Sequence, residues 1–142
     1  MYDKKITILL ATYNGAAFLE EQLSSFANQS WKNIDLIVSD DGSSDNTLEI
    51  IDTWKKSWSK GSFEIIQGPR AGHAENFRYL IQAVSDKKTY VAFSDQDDIW
   101  HRDKLEVAMN KLISMGEDTP VMYCGRTRLV DVDGNPTGLS LT

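Results

Sequence analysis

Three aspartates that directly follow a short apolar run are the groups in this sequence best suited to chemistry. The run is Tyr90–Ser94, and Asp95, Asp97 and Asp98 come next. Because strand side chains alternate between two faces, Asp95 and Asp97 should leave the strand end on the same side. Two carboxylates this close repel each other, and oxygen ligands suit Mg²⁺ or Mn²⁺, which bind through one or two carboxylates plus substrate phosphates. The spacing therefore predicts a divalent-metal site ready for a diphosphate.

The same cluster also has a structural explanation. Aspartates after a strand often form turns or helix caps, and for an isolated Asp-x-Asp that explanation is the more common one. The choice therefore depends on what the rest of the chain places beside these carboxylates.

The composition limits the kind of protein that could carry such a site. A chain of 142 residues is long enough for one domain with a hydrophobic core. Its net charge of −6, from 15 basic and 21 acidic residues, argues against nucleic acid as a partner. No run has transmembrane length and the N-terminus does not resemble a signal peptide, so we expect a cytoplasmic protein. The single cysteine, Cys124, lies in an apolar run and is expected to be buried in a reducing compartment.

Four β-prone runs alternate with segments whose apolar residues recur at helical spacing. The predicted strands are Ile6–Ala11, Ile34–Ser39, Phe63–Ile66 and Tyr90–Ser94. This alternation predicts an α/β fold, with a mostly parallel sheet flanked by helices in three layers. Further strands are predicted at Val121–Cys124 and Thr127–Val132, with a turn at Asp133–Pro136.

Each of the four main strands is followed by a polar segment. Thr12–Asn14 follows the first strand, Asp40–Ser43 the second, Gly68–Asn76 the third and Asp95–Asp98 the fourth. In a parallel sheet the carboxyl ends of the strands share one edge, and ligands bind outside that edge. We therefore expect the four segments to converge on a single site.

Several residues in these segments could bind a nucleotide, although each also has a structural explanation. Tyr13 could stack on a base or pack in the core. Asp40 and Asp41 are adjacent and point in different directions, so one could form a turn while the other accepts the N–H of uracil or thymine. Gly42 would allow the ligand to approach closely. Arg70 and His73 could contact phosphate, ribose or sugar hydroxyls, or could be solvated or capping groups.

Other nucleotide-dependent classes lack their usual motifs. The sequence contains no Gly-Lys-Ser/Thr phosphate loop and no Gly-x-Gly-x-x-Gly, which argues against ATPases and dinucleotide-dependent dehydrogenases. The run from Asp131 to Asn135 lacks the spacing and the terminal glutamate of an EF-hand, so a hairpin turn is predicted there.

Three segments together resemble the family 2 glycosyltransferases with the GT-A fold. The residues that carry the resemblance are Ile8–Gly15, Ile37–Asp45 and Phe93–Trp100, and the similarity runs from about Ile6 to Val132. It implies an inverting glycosyltransferase that uses a dTDP- or UDP-sugar with Mg²⁺ or Mn²⁺, in polysaccharide biosynthesis. The Asp-Gln-Asp-Asp-Ile-Trp sequence is most similar to the bacterial rhamnosyltransferase branch.

The resemblance also implies roles for individual residues. Ala11 and Tyr13 would line the nucleoside pocket, and Asp41 would hold the base. Asp95 would face the ribose and sugar, and Asp97, with Asp95, would bind the metal. The full set of candidate nucleotide-sugar-binding residues is Ala11, Thr12, Tyr13, Asn14, Asp40, Asp41, Gly42, His73, Asn76, Ser94, Asp95 and Gln96.

The general base of the family has no counterpart that can be named in this sequence. In the family that base lies in a second half, so residues 1–132 are expected to be the nucleotide-sugar-binding domain of a longer enzyme, with a turn and tail at 133–142. The acceptor is expected to be a glycan or lipid-linked, and the full-length protein to be peripheral to the inner membrane face. We expect this chain to bind donor and metal but to transfer sugar slowly or not at all.

Two other classes of function stay open from the sequence. A sugar nucleotidyltransferase could share the sheet and the metal carboxylates, but its N-terminal loop is usually rich in glycine and basic residues, and residues 12–15 contain no Lys or Arg. A non-catalytic nucleotide-sugar-binding or structural module is the second alternative.

Overall fold

Strand and helix alternate along the chain as the sequence predicts. The computed structural model describes residues 4–85, 89–116 and 118–140, and the chain divides into two compact units, Met1–Leu105 and Glu106–Thr142. The elements in chain order are β1 (Ile6–Thr12), α1 (Ala16–Ala27), β2 (Ile34–Asp40), α2 (Thr47–Ser57), β3 (Phe63–Gln67), α3 (His73–Ala83), β4 (Tyr90–Ser94), α4 (Lys104–Ser114), β5 (Arg128–Val130) and β6 (Pro136–Leu139).

The first unit contains a four-stranded, fully parallel sheet in the order β3-β2-β1-β4. The pairing of β1 with β2 extends to Thr12 and Asp40, whereas the pairing of β1 with β4 ends at Leu10 and Ser94. The chain builds outward from β1 to β3 and then crosses back to β4. A crevice therefore opens between β1 and β4, at the point where the strand order reverses.

Helices cover both faces of this sheet. Right-handed crossovers place α1 and α2 on one face, because both connect strands in the same direction, and these two helices pack against each other. The crossover through α3 runs in the opposite direction, and α3 packs on β1 and β2. The predicted three-layer α/β arrangement is confirmed.

The core lies on the two central strands, which explains their nearly continuous apolar sequences. Every residue of β1 is buried, and β2 is buried except for the half-buried Asp35. On the α3 face, Leu9, Ala11 and Ile37 form a cluster with Leu80 of α3. This packing makes the carboxyl ends of β1 and β2 a rigid base for the loops that follow them.

Asp35 links the start of the sheet to the β3 side. Its Oδ2 lies 2.9 Å from Lys5 Nζ, and its Oδ1 accepts the Ser62 N–H at 2.7 Å. Partial burial acts to raise the pKa of Asp35, but the bonds from Lys5 and Ser62 outweigh it, and the pKa lies below the ordinary value of 3.8. The native state therefore favours the ionised carboxylate.

We expect Asp35→Asn to lower the free energy of unfolding by about 1–2 kcal/mol at pH 7, because it removes a charge-assisted bond. A depressed pKa stabilises the native state above pH 3.8, and this contribution disappears as the pH falls through the native pKa. The gap between wild type and variant should therefore shrink below pH 3.8. Urea titrations from pH 7 to pH 3 measure it. Asp52→Asn, at an exposed position on α2, is the control, and a gap that does not change with pH would contradict the assignment.

The second unit contains a β5–β6 hairpin, and its structure differs in several details from what the sequence predicts. The Asp131 side chain accepts the N–H groups of Asp133 and Asn135 at 3.0 and 2.9 Å, so the predicted hairpin turn is confirmed, with β6 beginning at Pro136. The strand predicted over Thr127–Val132 is shorter, Arg128–Val130.

The strand predicted at Val121–Cys124 is wrong. In the described part of the chain no strand pairs with it, and an apolar β-prone run without a ladder partner stays irregular. For the same reason Cys124 is exposed rather than buried. No described helix is long and apolar enough to cross a membrane.

Candidate functional site

The carboxyl edge of the sheet contains a cavity of about 800 Å³, within the size range of small-molecule sites. Residues from all four predicted segments line it, so the predicted convergence is confirmed. The lining residues are Ala11, Thr12, Tyr13, Asp41, Gly42, Arg70, Gly72, His73, Asn76, Asp95, Gln96 and Asp97. Three other candidate residues, Asn14, Asp40 and Ser94, do not line the cavity, and the structure gives each of them a supporting position.

Asp40 shapes the turn after β2. Its buried carboxylate accepts the Thr12 hydroxyl at 2.9 Å and the Ser43 hydroxyl at 2.5 Å. Its other oxygen accepts the N–H groups of Gly42 and Ser43 at 3.1 and 2.8 Å. The two adjacent aspartates therefore have different roles: the Asp40 carboxylate stabilises the turn, and Asp41 lines the cavity.

Asn14 joins the turn after β1 to the turn after β2. It adopts a left-handed conformation with φ 47°, its N–H donates to Ser43 Oγ at 2.8 Å, and its Oδ1 accepts the Ser44 N–H at 2.8 Å. The next N–H, of Gly15, donates to Thr47 Oγ1 at 2.9 Å. These bonds fix the two residues that follow Tyr13, and Tyr13 itself lines the cavity with 57% of its surface exposed.

Asp41 holds the loop that follows β3. Its Oδ1 accepts the Arg70 N–H at 2.6 Å and its Oδ2 accepts the Gly72 N–H at 2.9 Å. Both of those residues have positive φ, 58° for Arg70 and 91° for Gly72. The left-handed conformation costs a non-glycine residue about 1–2 kcal/mol, so the carboxylate stabilises a strained loop. This arrangement keeps the exposed Arg70 side chain at the cavity wall.

Gly68 packs beneath this loop, where Asn76 anchors α3 to the sheet. The buried Asn76 donates its Nδ2–H to the Ser39 carbonyl at 2.8 Å. A Cβ on Gly68 would lie 2.8 Å from Asn76 Oδ1, 2.9 Å from the Asp40 carbonyl oxygen and 3.0 Å from Asp41 Oδ1. These distances leave no room for a side chain.

We expect Gly68→Ala to lower the free energy of unfolding by about 1–3 kcal/mol, as overpacking does in other tightly packed sites. Urea denaturation measures the loss. Gly125→Ala is the matched control, because a Cβ there meets nothing within 4 Å among the described residues. Equal stability of the two variants would show that the loop yields to the added methyl group.

The acidic segment presents carboxylates to the cavity. Asp95 and Asp97 are exposed and line it, and no described residue forms a hydrogen bond or ion pair with either side chain. Desolvation, together with the charges of Asp97 and Asp95, raises the pKa of the neighbouring Asp98 above 3.8, and Lys104 partly offsets this. The segment is therefore a concentration of negative charge that a cation would stabilise.

Gln22 on α1 anchors the acidic segment and was missed by the sequence analysis. Its Nε2 donates to Ser94 Oγ at 3.2 Å, and its Oε1 accepts the Asp98 N–H at 2.5 Å. The sequence does hold a signal, because Gln22 lies among the buried residues Leu19 and Leu23. A buried amide on an apolar helix face must find hydrogen-bond partners.

The carboxylates of Asp95 and Asp97 fit Mg²⁺ or Mn²⁺ as a partial set of ligands that a substrate and water would complete. The described residues contain no group of three or more His, Cys, Asp or Glu arranged to hold a metal ion. Asp95 and Asp97 offer two carboxylates without a described partner, and these could serve as hard oxygen ligands. Magnesium is commonly held by one or two carboxylates, substrate phosphates and water. The site thus suits an ion that arrives with a diphosphate.

Comparison with known proteins decides the family. A sequence profile described as Glycosyl transferase family 2 matches residues 7–141. The chain belongs to glycosyl transferase family 2. This family 2 chain is 39% identical over 107 residues to the dTDP-rhamnosyl transferase RfbG of Shigella flexneri, an alignment that covers 73% of the chain and 37% of RfbG. The chain thus spans little more than a third of the length of that relative.

Solved structures support the fold of the family 2 chain. S. aureus TarS 1-349 in complex with UDP-GlcNAc is 25% identical, with a TM-score of 0.63 over 78% of this chain and 31% of that one. The mannosyltransferase PcManGT from Pyrobaculum calidifontis, in complex with GDP-Man and Mn²⁺, is 23% identical, with a TM-score of 0.68 over 78% of this chain and 33% of that one. The predicted GT-A fold is confirmed by these similarities.

Proposed function

We propose that this chain is the donor-binding part of an inverting glycosyltransferase, which binds a dTDP- or UDP-sugar with Mg²⁺ or Mn²⁺ and transfers the sugar to an acceptor hydroxyl in polysaccharide biosynthesis. One observation carries the proposal: a single cavity brings Tyr13 and Asp41, suited to a nucleoside, together with Asp95 and Asp97, suited to a metal and a diphosphate. The relative named a dTDP-rhamnosyl transferase supports the choice of donor class.

In this proposal the nucleoside occupies the β1–β2 side of the cavity. The exposed Tyr13 ring stacks on the base, because stacking tolerates any aromatic face. An ionised carboxylate offers about four acceptor positions, so Asp41 can hold the Arg70 and Gly72 amides and still accept an imide N–H from uracil or thymine. Positive φ at Gly42 and the absence of a side chain there let the base approach the backbone.

The diphosphate lies toward β4. Asp97 and Asp95 would hold the cation, and Asp95 also faces the ribose and sugar. When bound, the cation stabilises the negative charge that develops on the leaving diphosphate. Arg70 and His73, both exposed at the cavity wall, can contact phosphate or sugar hydroxyls. Inversion then requires a general base on the opposite face of the sugar, and none is assigned to this chain.

Calorimetric titration of UDP, dTDP and GDP, with and without Mn²⁺, tests the proposal. Preference for a pyrimidine diphosphate, with affinity that rises when Mn²⁺ is present, is expected. Failure to bind any nucleoside diphosphate would overturn the proposal and favour a structural module.

The remaining parts of the proposal concern the whole enzyme. We propose that residues 1–132 form the donor-binding domain, that residues 133–142 are a turn and tail (the last two lie outside the described residues), and that the acceptor is a glycan or lipid-linked. Transfer assays with this chain, which we expect to be slow or silent, test the domain assignment.

A further inference from the structure

Gln96 lies in sequence between Asp95 and Asp97, the two candidate metal ligands. Its side chain forms two hydrogen bonds with Tyr13, on the other side of the crevice. Its Oε1 accepts the Tyr13 N–H at 2.9 Å, and its Nε2 donates to the Tyr13 carbonyl oxygen at 3.0 Å. The amide therefore pairs with the Tyr13 main chain much as a neighbouring strand would. Direct pairing of β1 with β4 has already ended at Leu10 and Ser94.

This pair of bonds has a special place in the site. Within the described residues it is the only hydrogen-bonded link between residues 13–15 and residues 95–98. The turn after β1 is otherwise bonded to the turn after β2, and the acidic segment is otherwise bonded to Gln22 on α1. Gln96 thus joins two halves of the cavity that different elements support.

Gly15 makes room for this arrangement. A Cβ on Gly15 would overlap the amide carbon and Oε1 of Gln96 and would lie 3.1 Å from its Cγ. Gly15 has φ −100°, which any residue can adopt, so its lack of a side chain matters here for space rather than for backbone conformation. Because the end of the glutamine side chain can rotate away, a methyl group at position 15 would break the two bonds and leave the fold intact.

We propose that Gln96 is a positioning residue that locks the Tyr13 main chain to the acidic segment. The inference rests on the proposed function and deepens it, since a nucleoside diphosphate must contact the Tyr13 ring and the cation of Asp95 and Asp97 at once. A diphosphate spans a fixed distance, so a fixed separation of these groups lowers the cost of ordering the bound ligand. In this inference Gln96, although it lines the cavity, affects affinity through Tyr13 rather than through a contact of its own with the ligand.

A double-mutant cycle with Tyr13 tests this mode of action. Gln96→Met keeps the length of the side chain and removes both hydrogen bonds, and should weaken UDP affinity about 30-fold if each bond is worth about 1 kcal/mol. Because its effect passes through the Tyr13 ring, adding Gln96→Met to Tyr13→Ala should cause no further loss. Gln82→Met, on the exposed face of α3, is the matched control.

Gly15→Ala gives an independent test of the same contact. Alone, it should weaken UDP affinity as much as Gln96→Met does. Combined with Gln96→Ala, which removes the group that the new methyl would strike, it should cause a much smaller loss than it causes in wild type. Any effect of position 15 on the start of α1 is the same in both backgrounds and cancels in the comparison.

Two results would overturn the inference while leaving the proposed function intact. One is an additive loss in the Tyr13 cycle, which would make Gln96 a direct ligand contact. The other is a full effect of Gly15→Ala in the Gln96→Ala background. If wild type binds no nucleoside diphosphate, the proposed function fails. Hydrogen exchange of the Tyr13 amide then tests, without any ligand, whether Gln96 locks the Tyr13 main chain. We expect faster exchange in Gln96→Met, and equal exchange in the two proteins would overturn the lock.

Discussion

Asp97→Ala should abolish the gain in nucleoside-diphosphate affinity that Mn²⁺ provides. Asp97 lines the cavity with an exposed carboxylate for which the described residues supply no partner, so its proposed role is to bind the cation. Losing one of two protein ligands to a cation that contacts the diphosphate should cost about 3 kcal/mol, or about 100-fold in affinity. Calorimetry with UDP and dTDP, in Mn²⁺ and in EDTA, measures the difference.

The variant should remain folded, because removing an exposed side chain without described partners leaves no cavity and no unsatisfied group. Asp52→Ala removes an equal charge at an exposed position of α2 that does not line the cavity, and it should bind normally. Affinity in EDTA should be nearly the same for all three proteins. If Asp97→Ala keeps the full Mn²⁺-dependent gain, the metal role assigned to Asp97 is wrong.

Asp41→Ala should weaken nucleotide binding even when no metal is present. The substitution removes the proposed acceptor for the base and both hydrogen bonds to the strained loop, those from Arg70 and Gly72. Hydrogen bonds to a charged acceptor are worth about 1.5–3 kcal/mol each, so losing two should lower the stability by about 3–6 kcal/mol. We also expect a loss of affinity of at least about 10-fold. Urea denaturation and titration in EDTA measure the two effects.

Two comparisons separate base recognition from loop support. The loss should be larger for UDP and dTDP than for GDP, because the pyrimidine imide is the proposed donor to Asp41. Gly72→Ala strains the same loop at a φ of 91° while keeping the carboxylate, so it should weaken binding without changing the preference among bases. An equal loss with every base in Asp41→Ala would contradict base recognition.

Local patterns in the sequence determined much of this protein. The β4 strand, Tyr90–Ser94, has the predicted limits, and β1 and β2 each extend one residue further than predicted. Hydrophobic periodicity depends on near neighbours, and a parallel sheet must bring its carboxyl ends to one edge. Those two rules were enough to place the polar segments around one cavity. The combination of motifs was also enough to identify family 2.

Only the tertiary structure decided how the site residues share their tasks. Asp40 and Asp41 look equivalent in sequence, yet Asp40 holds a turn through Thr12, 28 residues away, and Asp41 holds the loop of Arg70 and Gly72. The bond from Tyr13 to Gln96 spans 83 residues. Such partners depend on strand register and loop geometry, which no short-range pattern encodes.

The same reason explains the errors in the second unit. Val121–Cys124 has the composition of a strand, but a strand forms only where another backbone supplies its hydrogen bonds, and no described strand does so there. The exposure of Cys124 follows from that missing partner. Composition alone thus determined which segments tend to be extended, and long-range pairing decided which of them became strands and which side chains reached the cavity.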